Sequence, residues 1–355
     1  ASYGMTGNYS IAAYATAGTL HGKYANFNGG ELHRPGLEPE TRPTPDLEWE
    51  RNKMLDIGLD FGFLKGRIHG TIDYYDSKSY DLLYLKVLPY TSGFNRAWTN
   101  IGDTRNRGWE VSLSTVPVET KDFHLEVNLS YYRNKEELVR LQDPKMKEDI
   151  NNGLFVGYPV NGVHYNYKQV GIWQENEADL AAIYGQKPGE VKVADLDGNG
   201  KIDGNDKTYF GYSQRPDYVL GLLGGFRYKN FEISMQWTAG LHASRMLSGE
   251  YRNAFGSTNG RALLKFLADG RWTPENPDAR FPRLTFLNKS HYLEDSDLWL
   301  MDGSYLRLKV AEIGYTFRDI PAFRKVGVKS LKVYFSGYNL LTLFSDLNDI
   351  DIDPE

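Results

Sequence analysis

The sequence predicts an all-β fold: an antiparallel transmembrane β-barrel segment of about nine strands, with long loops at one end and short turns at the other. Three observations support this prediction. Apolar and polar residues alternate over segments of about 9–11 residues, the length of a tilted membrane-crossing strand. The links between these segments alternate between long and short. No stretch approaches 18 apolar residues, which excludes a helical membrane span but not a barrel, whose strands average out as hydrophilic.

The strands are read from period-two alternation. Between Phe123 and Tyr131, for example, apolar residues occupy the odd positions and His124, Glu126 and other polar residues occupy the even ones. Because successive strand residues point to opposite faces, each such segment has one apolar and one polar face. The predicted strands are 9–18, 51–63, 66–84, 99–116, 122–138, 217–228, 231–243, 301–317 and 329–344.

The links carry more information than any single strand. Long links and tight turns alternate strictly, which is typical of an outer-membrane barrel with long extracellular loops and short periplasmic turns. A soluble β-sandwich or propeller, the alternative, mixes long and short links without order. The long links are 19–50, 85–98, 139–216 and 244–300, and another is expected to begin after 345. The short links are 64–65, 117–121, 229–230 and 318–328.

Two local departures from this pattern are expected. The apolar parity of the eighth strand changes between Val310 and Ile313, which predicts a β-bulge. Short helices are predicted in the long links at 177–184 and 261–268, because helix formers there are followed by a glycine.

The barrel interpretation assigns side chains to two environments. Residues of the polar parity should face the lumen, namely Asp60, His69, Glu126 and Gln236. Residues of the apolar parity should face lipid, namely Ile57, Phe61, Leu125, Leu129, Ile233 and Met235.

Composition excludes several functions. The chain has no cysteine, which rules out disulfides and thiolate metal sites. Its net charge is −5 with mixed signs, which argues against nucleic-acid binding. The seven histidines lack the spacing of a zinc enzyme, there is no G-x-S-x-G motif, and Ile202 follows Lys201 where a phosphate-binding loop needs Ser or Thr.

One motif does predict a ligand. Residues 195–206, DLDGNGKIDGND, match the calcium-loop pattern of oxygen donors at alternate positions, with a glycine at position six for the sharp turn. The loop ends in Asp instead of Glu, and two clear flanking helices are lacking, so an EF-hand-like loop is expected. Ile202 should point inward as a hydrophobic anchor. The predicted Ca²⁺ ligands are Asp195, Asp197, Asn199, the Lys201 carbonyl, Asp203 and Asp206.

The chain resembles the C-terminal barrel portion of a SusC-like (RagA-type) TonB-dependent outer-membrane transporter of Bacteroidetes. The resemblance covers nearly the whole sequence in family order. It rests on the segments SYGMTGN (2–8), PDLEWERNKMLDIGLDFGF (45–63), IDYYDSKSYDLL (72–83), NIGDTRNRGWEVSLS (100–114), GIW (171–173), RWTPENPDARFPRL (271–284), DGSYLRLK (302–309) and GYNLL (337–341).

The resemblance implies a 22-stranded barrel filled by a plug. Residues 1–355 would supply the C-terminal part of that barrel, and the plug domain and the last strand would be absent. Residues 139–216 would be a long extracellular loop that holds the calcium loop. The parent protein would import oligosaccharides or peptides through the outer membrane. Its partners would be a SusD-like surface lipoprotein as a lid, TonB through the missing N-terminal part, and outer-membrane lipid.

Other functions are weighed against this one. The alternative is a secreted calcium-dependent carbohydrate-binding β-protein, which strand length and loop order disfavour. A glycoside hydrolase would need paired carboxylates in a cleft, which the sequence does not show. No enzyme activity and no catalytic residue are expected. Trp98, Trp173 and Trp272 are candidates for stacking on sugar rings, but packing within loops or an aromatic girdle is the favoured role.

Overall fold

The computed structural model describes residues 1–8, 11–27, 32–249, 251, 264–284, 296–318, 320, 321, 325 and 327–354. Its strands are β1 (Ser2–Asn8), β2 (Thr19–Phe27), β3 (Leu32–Arg42), β4 (Glu50–Phe63), β5 (Ile68–Tyr80), β6 (Leu83–Val87), β7 (Arg96–Asn100), β8 (Gly102–Glu119), β9 (Phe123–Leu141), β10 (Glu148–Asp149), β11 (Leu154–Phe155), β12 (His164–Tyr167), β13 (Gln169–Ile172), β14 (Val191–Val193), β15 (Lys207–Phe210), β16 (Tyr218–Tyr228), β17 (Phe231–Leu241), β18 (Ser244–Met246), β19 (Leu300–Asp302), β20 (Tyr305–Arg318) and β21 (Ser330–Leu343).

Helices are few and short. The α-helices are α1 (Ala178–Ile183) and α2 (Lys265–Asp269). Neither has the length and apolar character that a membrane-crossing helix requires, and no other helix among the described residues has them. The 3-10 helices are Ala15–Ala17, Leu64–Gly66, Tyr90–Ser92, Ile150–Asn152, Glu175–Glu177, Gly204–Asp206, Asp297–Trp299 and Asp346–Ile350.

Nine strands form one antiparallel sheet in the order β1-β4-β5-β8-β9-β16-β17-β20-β21. Each strand therefore pairs with the next sheet strand along the chain, as in an up-and-down barrel wall. The connections between them alternate between long and short, which confirms the sequence prediction. The short connections are 64–67, 120–122, 229–230 and 319–329.

Eight of the nine strand predictions are correct to within a few residues, but the first is wrong. Its strand is β1, Ser2–Asn8, which pairs with β4 from Ser2 opposite Asp56 to Asn8 opposite Glu50. Within the predicted segment 9–18, a 3-10 turn follows Tyr14, whose φ of 63° is left-handed and incompatible with a strand. The pairing partner, not the local pattern, fixes where this strand lies.

The long links contain structure that alternation did not reveal. β2, β3, β7 and β6 form a four-stranded sheet from the links before β4 and after β5. The predicted helix 177–184 is present as α1. Of the predicted helix 261–268, positions 261–263 lie outside the described residues, and α2 covers 265–269.

β20 contains a bulge, as predicted, but its register shift lies at Lys309, before Val310, and not between Val310 and Ile313. Trp237 pairs with Leu308, whereas Gln236 pairs with Val310, so one extra residue lies between them. Val310 therefore shares the polar face with Gln236 and Glu312, although its parity in sequence placed it with Leu306 and Leu308. A bulge reverses the face of every residue beyond it.

Cross-strand pairing confirms the two faces. Ile233 lies opposite Ile313, which lies opposite Phe335, and all three are apolar. On the other face, Glu232 lies opposite Gly314. Elsewhere, the hydroxyl groups of Thr71 and Ser112 form a hydrogen bond at 2.8 Å, and the rings of Phe123 and Phe226 pack with centroids 5.1 Å apart. The apolar residues thus meet on one face and the polar residues on the other, as the alternation predicts.

The described residues divide into two compact units. Unit 1 comprises Ala1–Gly62, Gly70–Ser112 and Tyr132–Asn161, and its core is built on Ile101, Leu138, Leu141 and Leu154. Unit 2 comprises Phe63–His69, Leu113–Tyr131 and Gly162–Glu355. The core of unit 2 lies in its long links, so the described parts of these links fold as packed structure. Its members are Tyr167, Val191, Val193, Leu247, Leu267, Phe281, Leu298, Trp299, Met301, Leu347 and Ile350.

Candidate functional site

The first candidate site is the loop 195–206, which is folded around the carboxylate of Asp195. That carboxylate accepts backbone N–H bonds from Gly198 at 2.7 Å, Asn199 at 3.2 Å and Gly200 at 2.8 Å. Gly198 and Gly200 have φ values of 71° and 80°, left-handed conformations that favour glycine. The sequence D-x-D-G-N-G therefore closes into a tight turn around its first residue.

Asp206 closes the loop from its other end. It is fully buried, and its two oxygens accept the N–H groups of Leu196 at 2.7 Å and Asp203 at 2.8 Å. A buried carboxylate is costly unless it is hydrogen-bonded or paired, so these bonds fix its position. Asp206 thereby holds the second and ninth residues of the loop beside the twelfth.

The loop brings three of the six predicted ligands together. Carboxylate oxygens of Asp195, Asp197 and Asp206 lie within 4.8 Å of one another. Asn199 and Asp203 instead use side-chain oxygens to accept the N–H groups of Lys201 and Asn205, each at 2.8 Å. Three convergent carboxylates are the ligand type that hard divalent cations prefer.

Tyr184 contacts this loop and was not anticipated from the sequence. Its hydroxyl donates to Asp195 Oδ2 at 3.3 Å, and its ring stacks on Trp173. Burial raises the pKa of Tyr184, and the nearby Asp195 carboxylate raises it further. Burial also raises the pKa of Asp195, but the Gly200, Gly198 and Asn199 N–H bonds outweigh it and leave that pKa below its usual value. Tyr184 is therefore kept protonated and Asp195 ionised, which are the forms in which the hydroxyl donates to the carboxylate.

The loop is anchored to the core of unit 2. Ile202 packs against that core, as predicted for the hydrophobic position of a calcium loop. Nearby, Glu190 is 1% exposed and accepts a hydrogen bond from Arg283 Nη2 at 3.1 Å. This ion pair joins the link that precedes β16 to the link that precedes β20. The loop 195–206 therefore belongs to a packed structure and is not an isolated excursion.

Two of the three tryptophans considered for sugar stacking are buried. Trp173 is 3% exposed and donates to Gln186 Oε1, and Trp272 is 7% exposed and donates to Gln174 Oε1. Packing within the loops, the favoured sequence interpretation, accounts for both. Neither presents a ring face to solvent.

A second cluster lies on the polar face of the sheet in unit 2. Lys332 forms ion pairs with Glu232 and, at 3.0 Å, with Glu312. His124 and Glu126 lie beside them around a cavity of about 310 Å³. The sequence placed Glu126 and Gln236 on this face, but it did not reveal this cluster. Only strand register brings residues from β9, β17, β20 and β21 together.

Comparisons with known proteins agree with this architecture. The family described as TonB dependent receptor-like, beta-barrel matches residues 1–340. The chain is 31% identical over 371 residues to TonB-dependent receptor P3 of Formosa agariphila, covering 99% of this chain and 35% of the relative. It is 30% identical over 336 residues to TonB-dependent receptor SusC of Bacteroides thetaiotaomicron, covering 90% of this chain and 31% of that protein. The chain thus spans about a third of the length of these relatives.

Solved structures show the same fold. The chain superimposes on a RagAB peptide transporter structure with a TM-score of 0.74 and 22% identity, covering 97% of this chain and 37% of the other. A second structure, of the RagAB peptide importer in the "closed-closed" state, gives a TM-score of 0.72 over the same 97% of this chain.

Proposed function

This chain belongs to the TonB dependent receptor-like β-barrel family, and on that premise we propose that it forms part of an active transporter of the outer membrane. The whole protein would import oligosaccharides or peptides, powered by TonB and capped by a SusD-like surface lipoprotein. These activities and partners are proposed for the whole protein, because the chain spans only about a third of its relatives.

One observation carries this proposal: the nine-stranded meander has one polar and one apolar face. A barrel wall in lipid needs an apolar outer face and a polar lumen face, and all of its backbone groups must be paired within the sheet. We therefore assign Ile233 and Met235 to the lipid side, and Glu126 and Gln236 to the lumen. The long connections then lie on the extracellular side and the short ones on the periplasmic side.

The described parts of the links 142–217 and 242–304 are packed, which supports a role in holding the ligand or the lid. Disordered loops would not bury tryptophans or an ion pair such as Glu190–Arg283. Loops that carry binding functions are positioned by a rigid scaffold. We assign these links to the surface that meets the lipoprotein lid and encloses the ligand. No covalent chemistry is assigned to them.

The direct test is uptake by cells that express the full-length protein. Cells should import labelled oligosaccharides or peptides, and uptake should stop when the gene or TonB is deleted. Pull-down of the full-length protein from outer membranes should recover a surface lipoprotein. If the full-length protein were secreted and soluble and bound sugar only with calcium, the transporter assignment would be wrong and the binding-protein alternative correct.

We also propose that the loop 195–206 binds Ca²⁺ as a structural ion. Asp195, Asp197 and Asp206 already converge, and Asn199, Asp203 and the Lys201 carbonyl are the further donors that the sequence supplies. Without a cation, these carboxylates repel one another. The expected affinity is in the weak extracellular range of about 10⁻⁴–10⁻³ M, because the loop ends in Asp and lacks two long flanking helices.

Calcium titration of the full-length transporter tests this site. Ca²⁺ should protect the link 142–217 from protease, and Asp195→Ala/Asp197→Ala should remove that protection. A matched control, Glu175→Ala/Asp179→Ala, changes two acidic residues of the same link outside the loop and should keep the calcium effect. Equal protection with calcium, with chelator and in the Asp195/Asp197 double variant would refute the site.

A further inference from the structure

The apolar face of the sheet becomes cationic at the long-loop ends of four neighbouring strands in unit 1. Along β8, Trp109 and Val111 are preceded at the same parity by Arg105 and Arg107. Along β5, Ile72 and Tyr74 are followed at the same parity by Lys78. β4 and β9 also change from apolar to cationic residues toward their long-loop ends. The cations of this basic band are Lys53, Lys78, Arg105, Arg107, Arg133 and Lys135.

Direct contacts show that the band is one continuous surface. The rings of Tyr74 and Trp109 lie 4.9 Å apart on the apolar side of the boundary. On the cationic side of the boundary, Arg105 forms a bidentate ion pair with Asp76, with Nε 2.8 Å from Oδ1. The ammonium groups of Lys53 and Lys78 lie 5.0 and 4.7 Å from the centre of the Tyr80 ring.

Two carboxylates beside the band are each shared by two cations. Glu137 is shared by Arg107 at 3.7 Å and Lys135 at 3.2 Å. Lys78 is 4.0 Å from Asp103, but that carboxylate already holds Arg140 at 2.7 Å. Clustered like charges raise the free energy of the folded protein unless an anion lies among them. The band therefore has charge complementarity to an anionic group.

The band is specific to these strands. In unit 2, the long-loop ends of β16, β17 and β20 carry Leu220, Ala239 and Leu306 on their apolar face, with Ala239 paired to both leucines. A cationic rim is thus not a general consequence of leaving the bilayer. Among these described strands, the cationic rim occurs on β4, β5, β8 and β9.

We propose that the basic band binds the phosphate groups of an anionic glycolipid in the outer leaflet of the membrane. The band continues the face assigned to lipid and lies toward the extracellular loops. A tyrosine and a tryptophan lie where the band meets the apolar part of that face, as at a membrane interface. Arginine binds phosphate with paired N–H donors, and cations beside a membrane attract anionic headgroups. The inference rests on the proposed outer-membrane location.

Lipid retention by the full-length protein tests this assignment. The protein is purified in mild detergent, exposed to phosphatidylcholine vesicles that contain bis-phosphorylated lipid A, and assayed for bound glycolipid by native mass spectrometry. Arg107→Gln/Arg133→Gln/Lys135→Gln should lower retention by about tenfold or more, since each cation near an anionic surface contributes appreciably to binding. Lipid A stripped of its phosphates should not be retained.

Controls separate this site from general charge effects. Lys65→Gln/Lys121→Gln/Lys229→Gln removes three exposed cations at the short-turn end and should retain lipid A as the unaltered protein does. Arg107→Lys/Arg133→Lys keeps the charge and should retain most of the binding. The shift in gel mobility between heated and unheated samples shows that each variant has assembled.

The proposal would be overturned if the Gln variant of the band retained as much lipid A as the unaltered protein, or if the short-turn control lost as much as the band variant. Displacement of lipid A by inorganic phosphate alone would also overturn it, because that result would indicate a site for a soluble anion. Membrane fractionation distinguishes this failure from failure of the transporter assignment. A protein that resides in the outer membrane but retains lipid A regardless of the band refutes only the lipid site.

Discussion

Glu190 illustrates how a single buried residue stabilises the packed long links of unit 2. Its side chain is 1% exposed, accepts the Lys187 N–H at 3.1 Å, and pairs with Arg283. Arg283 is itself only 31% exposed at its side chain. Removing one member of such a pair leaves the other charge buried without this counter-ion, which is more costly than the pair is worth.

We predict that Arg283→Met destabilises the packed long links of unit 2 by about 3 kcal/mol. This value is near the lower end expected for breaking a buried ion pair, because the Arg283 side chain retains some contact with solvent. The double variant Glu190→Gln/Arg283→Met should recover part of this loss, since no charge remains buried. Lys23→Met breaks the exposed Lys23–Glu38 pair and should cost no more than about 1 kcal/mol. Hydrogen exchange of segments 187–193 and 281–284 in the full-length protein measures the effect. Equal protection in Arg283→Met and the unaltered protein would contradict it.

At the scale of the strand, the two faces of β17 should respond oppositely to the same substitution. Ile233 is on the apolar face opposite Phe226 and Ile313, whereas Ser234 is on the polar face opposite Gly225 and Glu312. A cation at a mid-bilayer, lipid-facing position lacks solvation, but one in the lumen can be hydrated or can pair with an acid.

We predict that Ile233→Lys lowers barrel stability by roughly 2–4 kcal/mol and that Ser234→Lys lowers it much less. Urea unfolding of the full-length protein in lipid vesicles, followed by tryptophan fluorescence, gives both values. The two variants differ by one position in sequence and carry the same new side chain, so they form a matched pair. If Ser234→Lys proved the more damaging, the assignment of lumen and lipid faces would be reversed.

For the whole molecule, the nine-stranded sheet ends in two outer strands, β1 and β21, and each pairs with one neighbour among the residues that the structure describes. Many of their apolar side chains are exposed, including Met5 at 62% and Phe335 at 80%. Unpaired strand edges recruit other strands, and an apolar face of this size requires lipid or detergent.

We predict that a polypeptide limited to residues 1–355 aggregates when it is produced without detergent, and that detergent or lipid is needed to keep it dispersed. Light scattering and size-exclusion chromatography measure this directly. A monodisperse, detergent-free monomer that unfolds cooperatively would contradict both the barrel-wall assignment and the lipid-facing role of the apolar face.

The sequence by itself determined the face of most strand residues, because alternation is local and depends only on the pleat of an extended chain. Asp60, Glu126 and Ile233 were assigned to a polar or an apolar face without any knowledge of their neighbours. The alternating link lengths were likewise visible, as was the spacing of oxygen donors from Asp195 to Asp206. Resemblance to a known family then supplied the expected transport function.

Tertiary structure alone decided what depends on distant partners. β1 was misplaced because its position is set by pairing with β4. The face of Val310 was misassigned because the parity change predicted a bulge after Val310, whereas the register places it at Lys309. The cluster around Lys332 joins strands far apart in the chain, and the Tyr184 contact with Asp195 depends on how one link folds back on itself. Register and loop docking are fixed by long-range packing and hydrogen bonds, and a local sequence pattern does not encode them.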